Sequence, residues 1–129
     1  MREPRWISMT LILAVHADQV RDHGGAPGVR DKGLLESALS RPLNKFGYES
    51  GADLCDLAAS YGFGIARNHP FIDGNKRVAF QSMYLFLGLN GLRIDVPEEE
   101  VVALMLALAS GELEESDLAA WLKDHTSPR

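Results

Sequence analysis

The stretch VAFQSMYLFLGL, residues 78–89, sets the strongest limit on what this chain can fold into. It reads as a helix, yet Val78, Phe80, Met83, Tyr84, Leu85, Phe86, Leu87 and Leu89 leave it no polar face. A helix that is apolar nearly all round belongs in the middle of a bundle. The helix is read from Lys76 to Leu89, closed by Asn90-Gly91. The rest of the chain must then supply the helices that surround it.

It does so by local signals. A first helix runs from about Thr10 to His23 and stops at Gly24-Gly25. GGAPGVRDKG (24–33) is a glycine-rich loop, free to be mobile. Asp31 caps a second helix, which Pro42 is expected to end; residues 41–51 read as irregular. ADLCDLAASYGFGIARN (52–68) has helical spacing, and Gly62 and Gly64 within it point to close contact with a neighbouring helix. LRIDV (92–96) is short and extended. Pro97 opens a helix ending near Gly111, and Ser116 caps a last one carrying Leu118, Trp121 and Leu122 on one face. The expectation is an all-α bundle of about six helices with short loops.

At 129 residues, 46% hydrophobic and 24% charged, the chain suits one compact domain over residues 1–129. The longest apolar run, VVALMLALA at 101–109, is too short to span a bilayer. The segment MREPRWISM has no apolar stretch ahead of a cleavage site, and Cys55 is the single cysteine. Both fit a cytoplasmic chain with no membrane partner. Residues 1–94 hold eleven Lys/Arg against nine Asp/Glu, and residues 95–129 two against nine. No basic stripe emerges, so direct nucleic-acid binding is not expected.

In front of the central helix stands HPFIDGNKR, residues 69–77. Lys76 and Arg77 lie where that helix begins, the end at which the backbone is already positive and cations cost about 0.3–1 kcal/mol each. An anion resolves the conflict. Backbone N–H groups after Gly74, one ammonium and one guanidinium would cradle a phosphate. Asp73 beside it suits Mg²⁺, which commonly takes one carboxylate plus phosphate oxygens. An imidazole at position 69 can accept a hydroxyl proton. A plainer reading also fits these residues: Asp73 or Asn75 as a helix N-cap, Gly74 for a turn, and Phe71 packed in the core.

The stretch resembles the signature of the Fic/Doc family, H-x-F-x-[D/E]-[G/A]-N-[G/K]-R, which His69, Phe71, Asp73, Gly74, Asn75, Lys76 and Arg77 all match. GGAPGVRDKGLLESALSRP resembles the flap and second helix of the Doc (death-on-curing) branch, and GELEESDLAAWL its C-terminal end. The resemblance implies a Fic-fold helical bundle and the toxin of a toxin–antitoxin pair. It implies a protein kinase that moves the γ-phosphate of ATP to a Ser/Thr hydroxyl of a translation factor, elongation factor Tu in the family, and so arrests growth. The alternative on the same fold is AMP transfer to a protein hydroxyl, and a second alternative is an inactive binding module. Lys76, and Phe80 where AMP transferases carry a second arginine, favour the kinase; Gly74, alanine in Doc, favours AMP transfer.

By the same resemblance His69 is the general base, and Asp73 binds Mg²⁺ and orients the nucleophile. Gly74, Asn75, Lys76 and Arg77 hold phosphates, and the flap at 24–30 docks the target as an added strand. The family's inhibitory pattern, [S/T]-x-x-x-E-[G/N], is missed by Ser110-x-x-x-Glu114-Glu115. That implies silencing by a separate Phd-type antitoxin, whose helix covers an apolar groove near the active site. Elsewhere, His16 is read as a hydrogen-bonded packing residue, His23 and His125 as helix-end residues, and Cys55 as a small buried hydrophobe. Arg67 is open to two readings, phosphate field or solvated surface.

Overall fold

The computed structural model describes residues 2–129. Six helices follow one another: α1 (Met9–His23), α2 (Lys32–Tyr48), α3 (Leu54–Asn68), α4 (Asn75–Leu89), α5 (Glu98–Ser110) and α6 (Glu115–His125). The fold is the expected all-α bundle, built around the paired helices α3 and α4. Helices α2 and α6 pack on α3; α1 and α5 pack on α4. The more enclosed of the central pair is α3, which buries Leu57, Ala58, Tyr61 and Ile65 completely. Helix α4 buries Val78, Met83, Phe86 and Leu87, but leaves Tyr84 48% exposed. Its apolar face is therefore only partly covered.

Caps explain most helix ends. The Ser8 hydroxyl accepts from the Leu11 N–H, and the Asp31 carboxylate from the Leu34 N–H. Asp53 and Asp56 form a reciprocal box, each carboxylate accepting from the other's backbone N–H at 2.9 Å. Gly24 and Gly111 stop α1 and α5 in positive-φ conformations that a Cβ would oppose.

Three expectations change. Pro42 does not end α2; the helix runs on to Tyr48. The proline ring is buried in the core, and beyond it Phe46 meets Trp6 edge-on at 5.6 Å. Packing of this kind outweighs a missing helical hydrogen bond. The last helix is capped by Glu114, boxed with Asp117, and not by Ser116. Finally, where no strand was expected after the last helix, β2 (Thr126–Pro128) pairs antiparallel with β1 (Leu92–Ile94), which lies in the extended segment expected over 92–96. A three-residue strand ending in proline offers no alternation to read.

The glycines of α3 serve the expected close contacts. A Cβ on Gly62 would collide with Met83 Sδ, and one on Gly64 would stand 3.0 Å from Arg41 Cδ. Gly62→Ala is expected to destabilise the fold by about 1–3 kcal/mol, because fully buried Met83 has nowhere to retreat. Gly47→Ala, where nothing lies within 4 Å, should instead stabilise by roughly 0.5–1 kcal/mol. Urea midpoints moving in opposite directions at constant m would establish this contrast; a stabilised Gly62→Ala protein would refute it.

Cys55 is buried, and that burial pushes its thiol pKa up, away from reactivity. Tyr61 accepts from the Ile7 N–H at 3.0 Å, and its phenol is pushed up to about 12 by burial, so it remains neutral.

Candidate active site

The loop between α3 and α4 is held from both sides. Helix α3 ends at His69, which is left-handed at φ 48°, ψ 55°. Phe71 follows, fully buried. The Asn75 side chain accepts from the Phe71 N–H and donates to the Phe71 carbonyl, both at 3.0 Å. Across the core, the His16 ring stacks on Phe71 at 4.0 Å between centroids. His16 Nε2 also lies 2.9 Å from the Asp73 carbonyl oxygen, to which it donates. His16 thus has the packing role its sequence position suggests, but what it packs is the motif loop.

The second support is the 24–33 segment, which is pinned to the motif. Val29 bridges Phe71 antiparallel, the Ile72 N–H donates to the Gly28 carbonyl, and the Arg30 N–H to the Pro70 carbonyl at 2.7 Å. Arg30 adds its side chain: Nε donates to the His69 carbonyl at 2.7 Å and Nη2 to the Asn68 carbonyl at 2.8 Å. No local sequence signal singles out this arginine.

With the loop so fixed, Asp73 faces the flap. Its Oδ1 accepts from the Gly74 N–H at 2.9 Å and its Oδ2 from the Ala26 N–H at 3.3 Å. A Cβ on Gly25 would come within 2.8 Å of Oδ2, so only glycine lets the flap lie this close.

The start of α4 is the decisive feature. Gly74, left-handed at φ 80°, is its N-cap, and no side chain caps the helix. The Asp73 carboxylate bonds only Gly74 and Ala26, and the Asn75 amide turns back to Phe71. The plain capping reading therefore fails for both residues. The N–H groups of the first turn have no acceptor within the helix. Lys76 and Arg77 are exposed beside them, and among the described residues neither enters an ion pair. His69, Asp73, Gly74, Asn75, Lys76 and Arg77 line one cleft of about 340 Å³ together with Ile72. The loop thus brings all six candidate site residues to one place. What Asn75 can offer an anion there is chiefly its backbone N–H, since its side chain closes the loop.

Arg67 is elsewhere. Its guanidinium lies over the Phe63 ring, 5.0 Å from the centroid, and close to Gly111. The near-miss Ser110–Glu114 spacing straddles the break between α5 and α6 at Gly111, so it presents no single helical face. Beside the cleft, a groove of about 530 Å³ runs between α4 and α5. Lys76 and Arg77 stand in its lining, and Phe80, Tyr84, Val102 and Leu106 make it apolar.

Comparison with known proteins adds independent findings. The family model described as "Fic/DOC family" matches residues 6–87. A protein kinase doc from Escherichia phage P1 is 37% identical over 120 residues, covering 92% of this chain and 94% of its own length. A Toxin Doc from Mycolicibacterium smegmatis is 36% identical over 102 residues, covering 77% of this chain and 78% of its own. Among solved structures, the N-terminal Fic domain of a VirB-translocated Bep effector protein from Bartonella quintana, crystallised with bound ADP, superposes with a TM-score of 0.51. It is 19% identical and aligns with 76% of this chain, which spans 48% of that structure, so it speaks for the fold alone. With the motif loop, the helical fold and these relatives in agreement, the chain belongs to the Fic/DOC family.

Proposed function

We propose that this protein is the toxin of a toxin–antitoxin pair and acts as a protein kinase. It takes the γ-phosphate of ATP and transfers it to a Ser/Thr hydroxyl of a translation factor, with elongation factor Tu the first candidate by resemblance. The observation that carries this reading is the uncapped, cation-bearing start of α4, with His69 and Asp73 at the same cleft. A free helix N-terminus flanked by an ammonium and a guanidinium favours a polyphosphate. Relatives named as a Doc kinase and a Doc toxin support the class of activity.

In this reading His69 accepts the proton of the target hydroxyl as its oxygen attacks the γ-phosphorus. The bond to the bridging oxygen breaks, and ADP leaves. Lys76, Arg77 and the N–H groups after Gly74 hold the phosphates and stabilise the charge that spreads over them. Asp73 fits a Mg²⁺ ion, for its carboxylate is at the cleft and bound only by two N–H groups. Among the described residues no three His, Cys, Asp or Glu side chains form a metal cluster, so the remaining ligands would be phosphate oxygens and water. Such an ion would neutralise phosphate charge.

AMP transfer is the second reading, favoured by Gly74 at the position where AMP transferases carry glycine. Phe80 weighs against it, since it lines the apolar groove and offers no charge to phosphate. ATP labelled at the α or the γ position separates the two. The kinase reading expects γ-label on the target and none from the α position; retained α-label would overturn it.

For partners, the reading includes a Phd-type antitoxin helix in the groove between α4 and α5, where Tyr84, Val102 and Leu106 stand half exposed. Among the described residues no helix is long and apolar enough to cross a membrane. A translation-factor target would make the cytoplasm its working compartment.

A further inference from the structure

The geometry points to Arg30 as the residue that positions His69, acting through the backbone and not through substrate. His69 is the only non-glycine residue at positive φ among the described residues. A left-handed residue of this kind persists only when its surroundings over-determine it. Inside α3 only the His69 N–H is tied, to the Ile65 carbonyl at 3.2 Å, and that bond does not fix ψ. The carbonyl of Asn68, the last residue of α3, and that of His69 lie where intrahelical donors have run out.

Arg30 fills that gap. One edge of its guanidinium reaches both carbonyls, 2.7 Å to His69 and 2.8 Å to Asn68. The positive group also lies at the negative end of the α3 dipole. Only arginine presents two donors in a fixed fork; lysine offers a point charge on a flexible stem. The fork needs its own anchor, and the backbone provides it: the Arg30 and Asp31 N–H groups both donate to the Pro70 carbonyl, at 2.7 and 3.0 Å. On the other side the Asn68 amide donates to the Leu34 carbonyl at 3.0 Å, tying the end of α3 to α2. Position 69 is thus clamped between carbonyls 68, 69 and 70, all held from one short segment. Removing the guanidinium frees the ψ of His69 and the direction of its side chain. The phosphate end of the cleft, held by Asn75 and His16, stays in place.

This inference rests on the reading of His69 as the general base, so its test has one readout that needs no turnover. Arg30→Ala and Arg30→Lys are compared with the wild type by the ¹³Cα and ¹³Cβ shifts of His69, which report its backbone conformation. The same proteins are assayed for kcat and for KM with ATP. Both substitutions are expected to move the His69 signals away from the left-handed values. Both should also lower kcat by about tenfold to a hundredfold, the scale of a small misplacement of a catalytic group, with KM for ATP within about twofold, because the phosphate-binding groups are untouched. Millimolar guanidinium ion should recover part of kcat in Arg30→Ala and none in Arg30→Lys. Wild-type His69 signals together with wild-type kcat in either variant overturn the proposal. So does a rise in KM for ATP at constant kcat, which would make Arg30 a phosphate ligand. Should Arg30→Ala fail to fold, Arg30→Lys decides by the same signals. If the wild type transfers no label at all, the kinase reading fails, while the His69 shifts still decide the role of Arg30.

Discussion

Replacing His69 with alanine is expected to lower the rate of phosphate transfer by about 10²–10⁴-fold, the usual contribution of a positioned general base. ATP affinity should change little, because the proposed phosphate-binding groups lie on Gly74 to Arg77 and not on the imidazole. The fold should also survive. His69 is exposed, and its structural ties run through its backbone N–H and carbonyl. An alanine at φ 48° is less comfortable than histidine, so His69→Asn, which tolerates the left-handed region, serves as a control for local strain. The measurement is single-turnover transfer of γ-label to the target, with ATP binding followed calorimetrically. Expression without an antitoxin gives the cellular counterpart. A His69→Ala protein as toxic as the wild type would remove catalysis from the mechanism.

The second large effect is structural. Phe71→Ala should destabilise the protein by about 3–5 kcal/mol, the cost of deleting a buried aromatic ring. Against a total stability of roughly 5–15 kcal/mol, that is a large share. Phe71 is fully buried, stacked on His16 and reciprocally hydrogen-bonded to Asn75. Removing the ring leaves His16 without its stacking partner and the motif loop without its anchor. A thermal midpoint lowered by about 10 °C or more is expected, together with loss of ATP binding in the protein that remains folded. A shift of only a degree or two would show that the loop does not hang on this side chain. Phe80→Ala is a useful comparison, since Phe80 is only partly buried at the groove and should cost much less.

These two residues differ in how they could be read. Phe71 was legible as a core anchor from an apolar residue set inside the motif loop, and His69 was a candidate only through the motif. The cations at 76 and 77 were legible as a conflict with the helix dipole, and the uncapped start of α4 shows that no side chain resolves it. For Asn75 the sequence left capping open beside the favoured phosphate reading. Its amide turned out to close the loop on Phe71, a choice set by where the buried Phe71 backbone needed partners. His16 was legible as a packing residue, but nothing near it in the chain says that it packs the motif, because its partner lies 57 positions away. Arg30 carried no signal at all; its acceptors are 38 and 39 positions distant.

What the sequence alone determined follows from interactions that close within a few residues. The cap at Asp31, stops at Gly24 and Gly111, the close-packing glycines of α3 and the motif itself are of this kind. Periodicity and capping are local, so one chain segment carries the whole signal. Only the tertiary structure decided the rest: that α2 passes through Pro42, that β2 pairs with β1, that α3 and not α4 is the more enclosed helix, and that Arg30 and His16 grip the motif loop from opposite sides. Each depends on the burial or pairing of groups far apart in the chain, where packing outweighs local preference.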